Sequence, residues 1–331
     1  MQVAVLGAGA WGTALAKVLA DKDNPTWLWS HREDLARSIN EEGVNHRYLP
    51  VARLPKTLRA TASMEEALHL AELIVVVVPS HALRSVMREA RKFVPETALL
   101  CSATKGIEND SLMLMSDVML DELGASVMPR LTYLSGPSFA KEVALGMPTA
   151  VVVAGASRRE TLVVQHAFAT ERLRVYSSTD VTGVELGGAL KNVMAIAAGA
   201  VDGLGFGHNA RAGMITRGLV EMGRVAGKMG ANPLTLAGLS GLGDLILTCT
   251  GDLSRNRTVG YELGKGRTLD DILATLGHVA EGVKTTKSAF DLGKKLDVVM
   301  PITQEVYSVL YEGKSPRQAV TDIMTRPLTH E

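Results

Sequence analysis

An excess charge of either sign is missing from this sequence. Lys plus Arg and Asp plus Glu number 35 each in 331 residues, so no global field exists to hold nucleic acid or an anionic membrane. Basic residues must therefore act locally. Aromatic residues are only 4% of the chain, which makes stacking platforms for bases scarce and the core aliphatic. Cysteine is nearly absent. Cys101 and Cys249 lie far apart, which excludes a disulfide framework and a zinc pattern and predicts two buried or half-buried thiols; no metal site is expected. Long apolar runs are missing too. The run 73–78 has the length of a strand, short of the ~20 residues that a membrane helix needs. The start, Met1-Gln2-Val3-Ala4-Val5-Leu6-Gly7, carries no basic stretch and no cleavage signal. These absences predict a cytoplasmic, soluble protein without a nucleic-acid partner or membrane insertion.

What is present is an alternation of strand and helix signals. The segments 3–6, 26–29, 73–78, 98–102, 131–134 and 150–154 read as strands, and 12–20, 83–92 and 112–120 as helices. The continuous Val/Ile run 73–78 has the pattern of a strand buried on both faces. Strand and helix in alternation predict a mainly parallel, doubly wound sheet. Beyond residue 180 the Val/Ile runs stop. The segments 184–200, 211–229, 270–276, 285–296 and 303–311 read as helices, with Gly203, Gly205, Gly230, Gly241 and Gly251 marking connections. The expected organisation is an α/β domain over 1–180 and an all-helical domain over 181–331.

Gly7-Ala8-Gly9-Ala10-Trp11-Gly12 sits between the first strand and the first helix. In that context Gly7 permits a tight turn, Gly9 lets the backbone approach a pyrophosphate, and Gly12 lets helix pack on strand. The helix N-terminus then offers N–H groups and partial positive charge to phosphates. A dinucleotide is the implied cofactor. The second strand runs into Ser30-His31-Arg32 rather than into a carboxylate. Asp or Glu there would repel a 2′-phosphate, whereas His31 and Arg32 attract one, which favours NADPH, or the use of both NADPH and NADH. Glu33 and Asp34 are expected on the next helix as N-terminal charges.

Further groups follow the later strands. Lys105 comes just after the strand 98–102, where an open sheet holds its ligand. Gly136-Pro137-Ser138 ends another strand, with Gly136 allowing close approach and Ser138 a hydroxyl. Lys191 and Asn192 interrupt a small, apolar helical segment; a charge in such a place is costly unless paired or functional. Burial there lowers a lysine pKa toward neutrality, while Asp244 opposes the effect. Asp244 and Thr248 share a helix face at i and i+4. Ser254-Arg255-Asn256 puts a hydroxyl, a guanidinium and an amide side by side, a combination suited to phosphate.

Together these stretches resemble the bacterial-type NAD(P)-dependent glycerol-3-phosphate dehydrogenases. Gly-Pro-Ser-Phe-Ala-Lys-Glu at 136–142, Leu-Lys-Asn at 190–192 and Ser-Arg-Asn at 254–256 carry the resemblance in that order. Tyr48-Leu49-Pro50, Val78-Pro79-Ser80, Thr104-Lys105-Gly106, 215–222, 238–249, 279–283 and Met300-Pro301-Ile302 support it. The resemblance implies a Rossmann domain followed by a helical domain, usually as a homodimer. It also implies reduction of dihydroxyacetone phosphate, a small phosphorylated substrate, to sn-glycerol 3-phosphate for phospholipid synthesis. By this resemblance Lys191 exchanges the alcohol proton. Lys105, Gly136, Ser138, Asp244, Ser254, Arg255 and Asn256 match substrate positions, and Asn192 and Thr248 would orient the substrate hydroxyls. Trp11, His31, Arg32, Tyr48, Lys105, Ala140, Arg255, Val279 and Glu281 match cofactor positions. Ala10 departs from the Ser of many members, so a backbone N–H must replace one hydroxyl contact to the cofactor phosphate. The stretch Thr250-Gly251-Asp252-Leu253 departs from the more common loop. Another two-domain dehydrogenase, acting on a hydroxy acid or a ketopantoate-like substrate, would share the cofactor turn but needs a carboxylate site. A cofactor-sensing regulator would need a basic DNA-binding module, and none is visible.

Overall fold

The computed structural model describes residues 1–276, 280–328 and 330. Its contacts divide the chain into two compact units. One holds 1–105 and 113–184, the other 106–112 and 185–331.

The first unit is built on ten strands: β1 (Val3–Leu6), β2 (Thr26–Trp29), β3 (Val44–Asn45), β4 (Leu49–Arg53), β5 (Leu58–Thr61), β6 (Leu73–Val76), β7 (Leu99–Ser102), β8 (Leu131–Ser135), β9 (Thr149–Gly155) and β10 (Leu173–Ser178). Eight of them form one sheet in the order β10-β9-β8-β7-β6-β1-β2-β5, while β3 and β4 form a separate antiparallel hairpin. Within the large sheet, β8 and β9 pair antiparallel and the other pairs are parallel. The chain leaves β1 toward β2 and later returns to β6 on its other side, which creates the crevice where such sheets bind ligands.

Alternation along the central strands supplies two cores. Val3, Val5, Leu73 and Val75 join one buried cluster with Leu15 and Leu19. Ala4, Leu6, Ile74 and Val76 join the other with Leu83 and Met87. Each such Val, Leu or Ile contributes about 1.5–3 kcal/mol when fully buried. The expected helix at 12–20 begins two residues earlier, at Ala10–Ala20. β5 and β10 were not expected from the sequence. Both are edge strands; β10 alternates buried and exposed residues and β5 carries the exposed Arg59, so polar residues dilute the apolar signal.

The second unit is helical. By length and hydropathy alone Val181–Gly203 could cross a membrane, but 89% of its apolar window is buried inside the protein. The segment Pro233–Thr250 passes the same test of length and composition. The Val181–Gly203 helix meets the Arg255–Gly264 helix almost backbone to backbone. A Cβ added at Gly260 would lie 1.9 Å from the Ile196 carbonyl oxygen, and one at Gly199 would lie 2.0 Å from that of Arg257. Small residues at this crossing let the two helices approach. Two glycines expected to mark connections belong to packed elements instead. Gly203 closes the long helix against Tyr261, and Gly241 lies in a π-helical turn, Leu239–Gly243, pressed against Leu236.

Candidate functional site

The glycine turn follows β1. Gly7 has φ +121°, and a Cβ there would lie 2.3 Å from the Val77 carbonyl oxygen; one at Gly12 would lie 1.9 Å from that of Gly7. The fold itself requires both. Gly9 differs: a Cβ there would meet no protein atom within 4 Å, and its φ of −72° suits any residue. Its small size therefore serves something other than protein packing. Gly9 is the N-cap of Ala10–Ala20 and lends no side chain to the helix N–H groups, so they can face an anion. Trp11 Nε1 is buried without a hydrogen-bond partner among the described residues. Trp11 and Ala140 pack on the same small cluster, with Ala14, Leu49, Ala52 and Ala144. This open glycine, uncapped helix start and orphaned indole N–H fit a dinucleotide pyrophosphate.

At the end of β2, Glu33 and Asp34 open the helix Glu33–Glu42, as expected. Asp34 also turns back onto Arg32, accepting from Nε at 3.1 Å and from Nη2 at 2.5 Å. These contacts push the Arg32 pKa up. The guanidinium is therefore ion-paired, a relation that the sequence reading missed. His31 is exposed beside it. Tyr48 is half-buried in the turn between β3 and β4, and its N–H donates to Asn45 Oδ1 at 3.1 Å. Asn45 Nδ2 donates in turn to the Ala8 carbonyl at 2.9 Å and to Thr13 Oγ1 at 2.8 Å. Asn45 was also missed. An Asn three residues before the Tyr was the available signal, since Asn side chains favour such turns.

Lys105, Gly136 and Ser138 come together at the ends of β7 and β8. Lys105 Nζ donates to the Gly136 carbonyl at 3.3 Å, and Ser138 Oγ to the same oxygen at 2.9 Å. Gly136 has φ +128°, and an added Cβ would lie 3.0 Å from Val151 Cα.

In the helical unit the sequence candidates form two buried clusters. Lys191 exposes 7% of its surface, Asp244 1% and Thr248 4%. Lys191 Nζ donates to Asp244 Oδ1 at 2.6 Å and to Thr248 Oγ1 at 2.8 Å. Thr248 Oγ1 is placed to donate to the Asp244 carbonyl at 2.6 Å, the i, i+4 relation read from the sequence. Lys191 is thus no isolated amine in an apolar helix, because a carboxylate this close favours its proton-carrying form. Asn192 takes no part in this cluster. Its Oδ1 accepts from Asn256 Nδ2 at 2.9 Å, and Asn256 Oδ1 accepts from the Gly282 N–H at 2.9 Å.

Ser254 caps the Arg255–Gly264 helix, its Oγ accepting from the Arg257 N–H at 3.2 Å. Arg255 keeps exposed surface. Lost hydration nevertheless pulls its pKa down, while Glu281 pulls the other way. It remains charged at any working pH. Arg257, not singled out in the sequence, grips Asp202 through Nε at 3.0 Å and Nη2 at 2.8 Å and reaches Asp252 at 3.1 Å. Asp202 also pairs with Arg211 at 3.2 Å. This network ties the 251–254 loop and the helix carrying Asn256 to the end of the Lys191 helix. Val279, a cofactor candidate, lies outside the described residues.

Residues 2–161 match the model of the NAD-dependent glycerol-3-phosphate dehydrogenase N-terminus, and 180–321 that of its C-terminus. The sequence is 53% identical to a glycerol-3-phosphate dehydrogenase [NAD(P)+] of Desulfotalea psychrophila, covering 99% of this chain and 98% of that protein. It is 51% identical to one from Citrifermentans bemidjiense, over 100% and 98%. The crystal structure of the Coxiella burnetii glycerol-3-phosphate dehydrogenase superposes with a TM-score of 0.94 at 41% identity, covering 98% of this chain and 99% of that one.

Proposed function

The chain belongs to the NAD-dependent glycerol-3-phosphate dehydrogenase family, and on that premise we propose how its residues divide the reversible reduction of dihydroxyacetone phosphate to sn-glycerol 3-phosphate. It is an oxidoreductase that uses NAD(P)H. The cofactor supplies or accepts the hydride when bound, and the Gly7–Gly12 turn, Trp11, Ala140 and Tyr48 would hold it.

The observation that carries the assignment of roles is the buried contact of Lys191 with Asp244. Reduction of a carbonyl leaves an oxygen that must gain a proton. Lys191 Nζ holds that proton, Asp244 favours its presence, and Thr248 fixes the direction of the amine. In the reverse direction the same amine removes the proton of the secondary alcohol. Ser254, Arg255 and Asn256 form the phosphate site at the start of a helix, where N–H groups and guanidinium complement an anion. Asn192, held by Asn256, orients a substrate hydroxyl. Lys105 and Ser138, joined at the Gly136 carbonyl, are assigned to the substrate by the family resemblance.

NADPH is favoured through His31 and Arg32. The Arg32–Asp34 pair is largely solvent-facing, and exposed pairs are weak, so a dianionic phosphate can compete for the guanidinium. The resemblance to this family also carries a role in glycerophospholipid supply, a homodimer and a cytoplasmic location. Sedimentation checks the assembly, and cell fractionation the location.

The deciding assay follows cofactor absorbance with dihydroxyacetone phosphate, ketopantoate and small oxo acids in parallel. Turnover confined to dihydroxyacetone phosphate is expected. Faster turnover of ketopantoate or an oxo acid would overturn the phosphate assignment.

A further inference from the structure

The turn between β3 and β4 carries a cation that the cofactor reading has not used. Asn45 is fully buried and joins this turn to the glycine turn through Ala8, to the first helix through Thr13, and to the Tyr48 backbone. The position of 46–48 is therefore coupled to the pyrophosphate turn. Arg47, between Asn45 and Tyr48, is exposed. Its Nε donates to the Tyr48 hydroxyl at 3.1 Å, and its guanidinium carbon stands 5.5 Å from the centre of the Tyr48 ring. The tyrosine thus holds the flexible arginine in place.

Tyr48 also acts electrostatically on Arg32, so the tyrosine that holds Arg47 lies near the end of β2 as well. The charges of the two arginines are not equally available. Arg32 is paired with Asp34. Arg47 forms no ion pair among the described residues, and Glu42, which precedes the turn, pairs with His46 at 2.9 Å instead. A planar guanidinium with an uncompensated charge is well suited to a phosphate.

We propose that Arg47 is a specificity-determining residue for the cofactor, acting with Arg32 as a two-cation site for the ribose 2′-phosphate. Asn45 is the positioning residue that fixes this site to the glycine turn. The proposal rests on the NADPH preference drawn above from His31 and Arg32, and it adds a second cation and the element that places it. The chemistry recognised is a phosphomonoester on an adenosine ribose.

Binding can be measured without turnover. Calorimetry on the full chain compares adenosine 2′,5′-bisphosphate with 5′-AMP, which differ only in the 2′-phosphate. Arg47→Ala should weaken the bisphosphate about tenfold, the scale of one charge-assisted hydrogen bond, and leave 5′-AMP within about twofold. Arg47→Lys should recover part of the loss, because it restores charge without the planar fork. Asn45→Asp keeps the acceptor for the Tyr48 N–H but loses the donor to Ala8, so it should weaken both ligands. A thermal melt of each variant confirms that it is folded, and Arg47 is exposed enough that its replacements should fold. If Arg32→Ala loses the bisphosphate preference and Arg47→Ala keeps it, the proposal for Arg47 is overturned while the NADPH reading stands. If the unaltered protein shows no preference for the bisphosphate, both are overturned.

Discussion

Lys191 Nζ lies 2.6 Å from Asp244 Oδ1, and the two side chains come from helices that place them 53 residues apart in sequence. Both are buried. Removing Lys191 deletes the amine proposed to exchange the proton and leaves the residues of the glycine turn in place. Lys191→Ala should therefore lower kcat by ~10²–10⁴, the range for loss of a positioned acid or base, with NADPH affinity nearly unchanged. Lys191→Arg should not restore the rate, since a guanidinium does not deprotonate near neutrality. Near-normal kcat in the Ala variant would mean that the amine only packs the helix, and Lys105 would then be tested for the proton role.

Asp244→Asn offers a separate reading of the same contact. An opposite charge nearby favours the ammonium form. With the carboxylate gone, the amine gives up its proton at lower pH. The alkaline limb of kcat for the reduction should then move to lower pH, and the limb for the oxidation should move the same way. Stopped-flow or steady-state pH profiles of the variant provide the test. Unmoved profiles with a merely lower rate would make Asp244 a structural partner and nothing more.

Arg255 stands at the first turn of the Arg255–Gly264 helix behind the Ser254 cap. Its removal should raise KM for dihydroxyacetone phosphate by about 10- to 100-fold, the scale of one or two hydrogen bonds to a charged group. Unphosphorylated dihydroxyacetone, a poor substrate from the start, should be affected much less. Glu281 is close enough to act on the Arg255 charge and is itself a cofactor candidate, so NADPH binding is titrated separately. Equal losses for both ketones would remove Arg255 from phosphate recognition.

The two thiols give a prediction about inertness. Both cysteines are free and buried, and burial pushes each pKa up to about 12. The thiolate is the reactive form. A thiol-specific chromogenic reagent at mildly alkaline pH should therefore find no fast-reacting group in the folded protein, and both thiols should react after denaturation. Rapid labelling of Cys249 in the native protein would show that the neighbourhood of Thr248 opens readily.

The sequence was most legible where one residue type has a local reason to stand at one place. The glycine turn was readable because a backbone constraint at Gly7 and Gly12 leaves a residue signature. Lys191 was readable because a charge is conspicuous among Gly, Ala and Leu. Asp244 and Thr248 were readable because i, i+4 spacing is enough to join them. What escaped depends on partners distant in sequence or on a rotamer. Asn45 bonds Ala8 and Thr13, 37 and 32 residues away, and the local turn signal that favours an asparagine does not announce those partners. Arg257 finds Asp202 across 55 residues. Arg32 looked available because its pairing with Asp34 depends on how both side chains turn. Among the strands, β5 and β10 escaped because an edge strand keeps polar residues on its exposed positions.

Two different reasons for glycine in the cofactor turn can be separated by experiment. At Gly12 a Cβ would stand 1.9 Å from the Gly7 carbonyl oxygen, whereas at Gly9 it would meet no protein atom within 4 Å. Gly12→Ala must therefore push the first helix away from the turn. Overpacking of this kind costs about 1–3 kcal/mol, which should lower Tm by several degrees even without cofactor. Gly9→Ala has no such conflict, and its extended backbone accepts alanine. Its Tm without cofactor should stay within about a degree of the unaltered protein, a shift that corresponds to about 0.7 kcal/mol for a chain of this size. Its cofactor affinity should nevertheless fall, because the new methyl occupies the space through which a pyrophosphate reaches the helix N–H groups. Adding NADPH before the melt makes the contrast sharper: bound ligand raises Tm only in a protein that binds it. The unaltered protein should gain stability with NADPH, and Gly9→Ala should gain little. A Gly9→Ala variant with full stabilisation by NADPH would show that the pyrophosphate does not pass over Gly9, and the cofactor site would have to be moved along the turn.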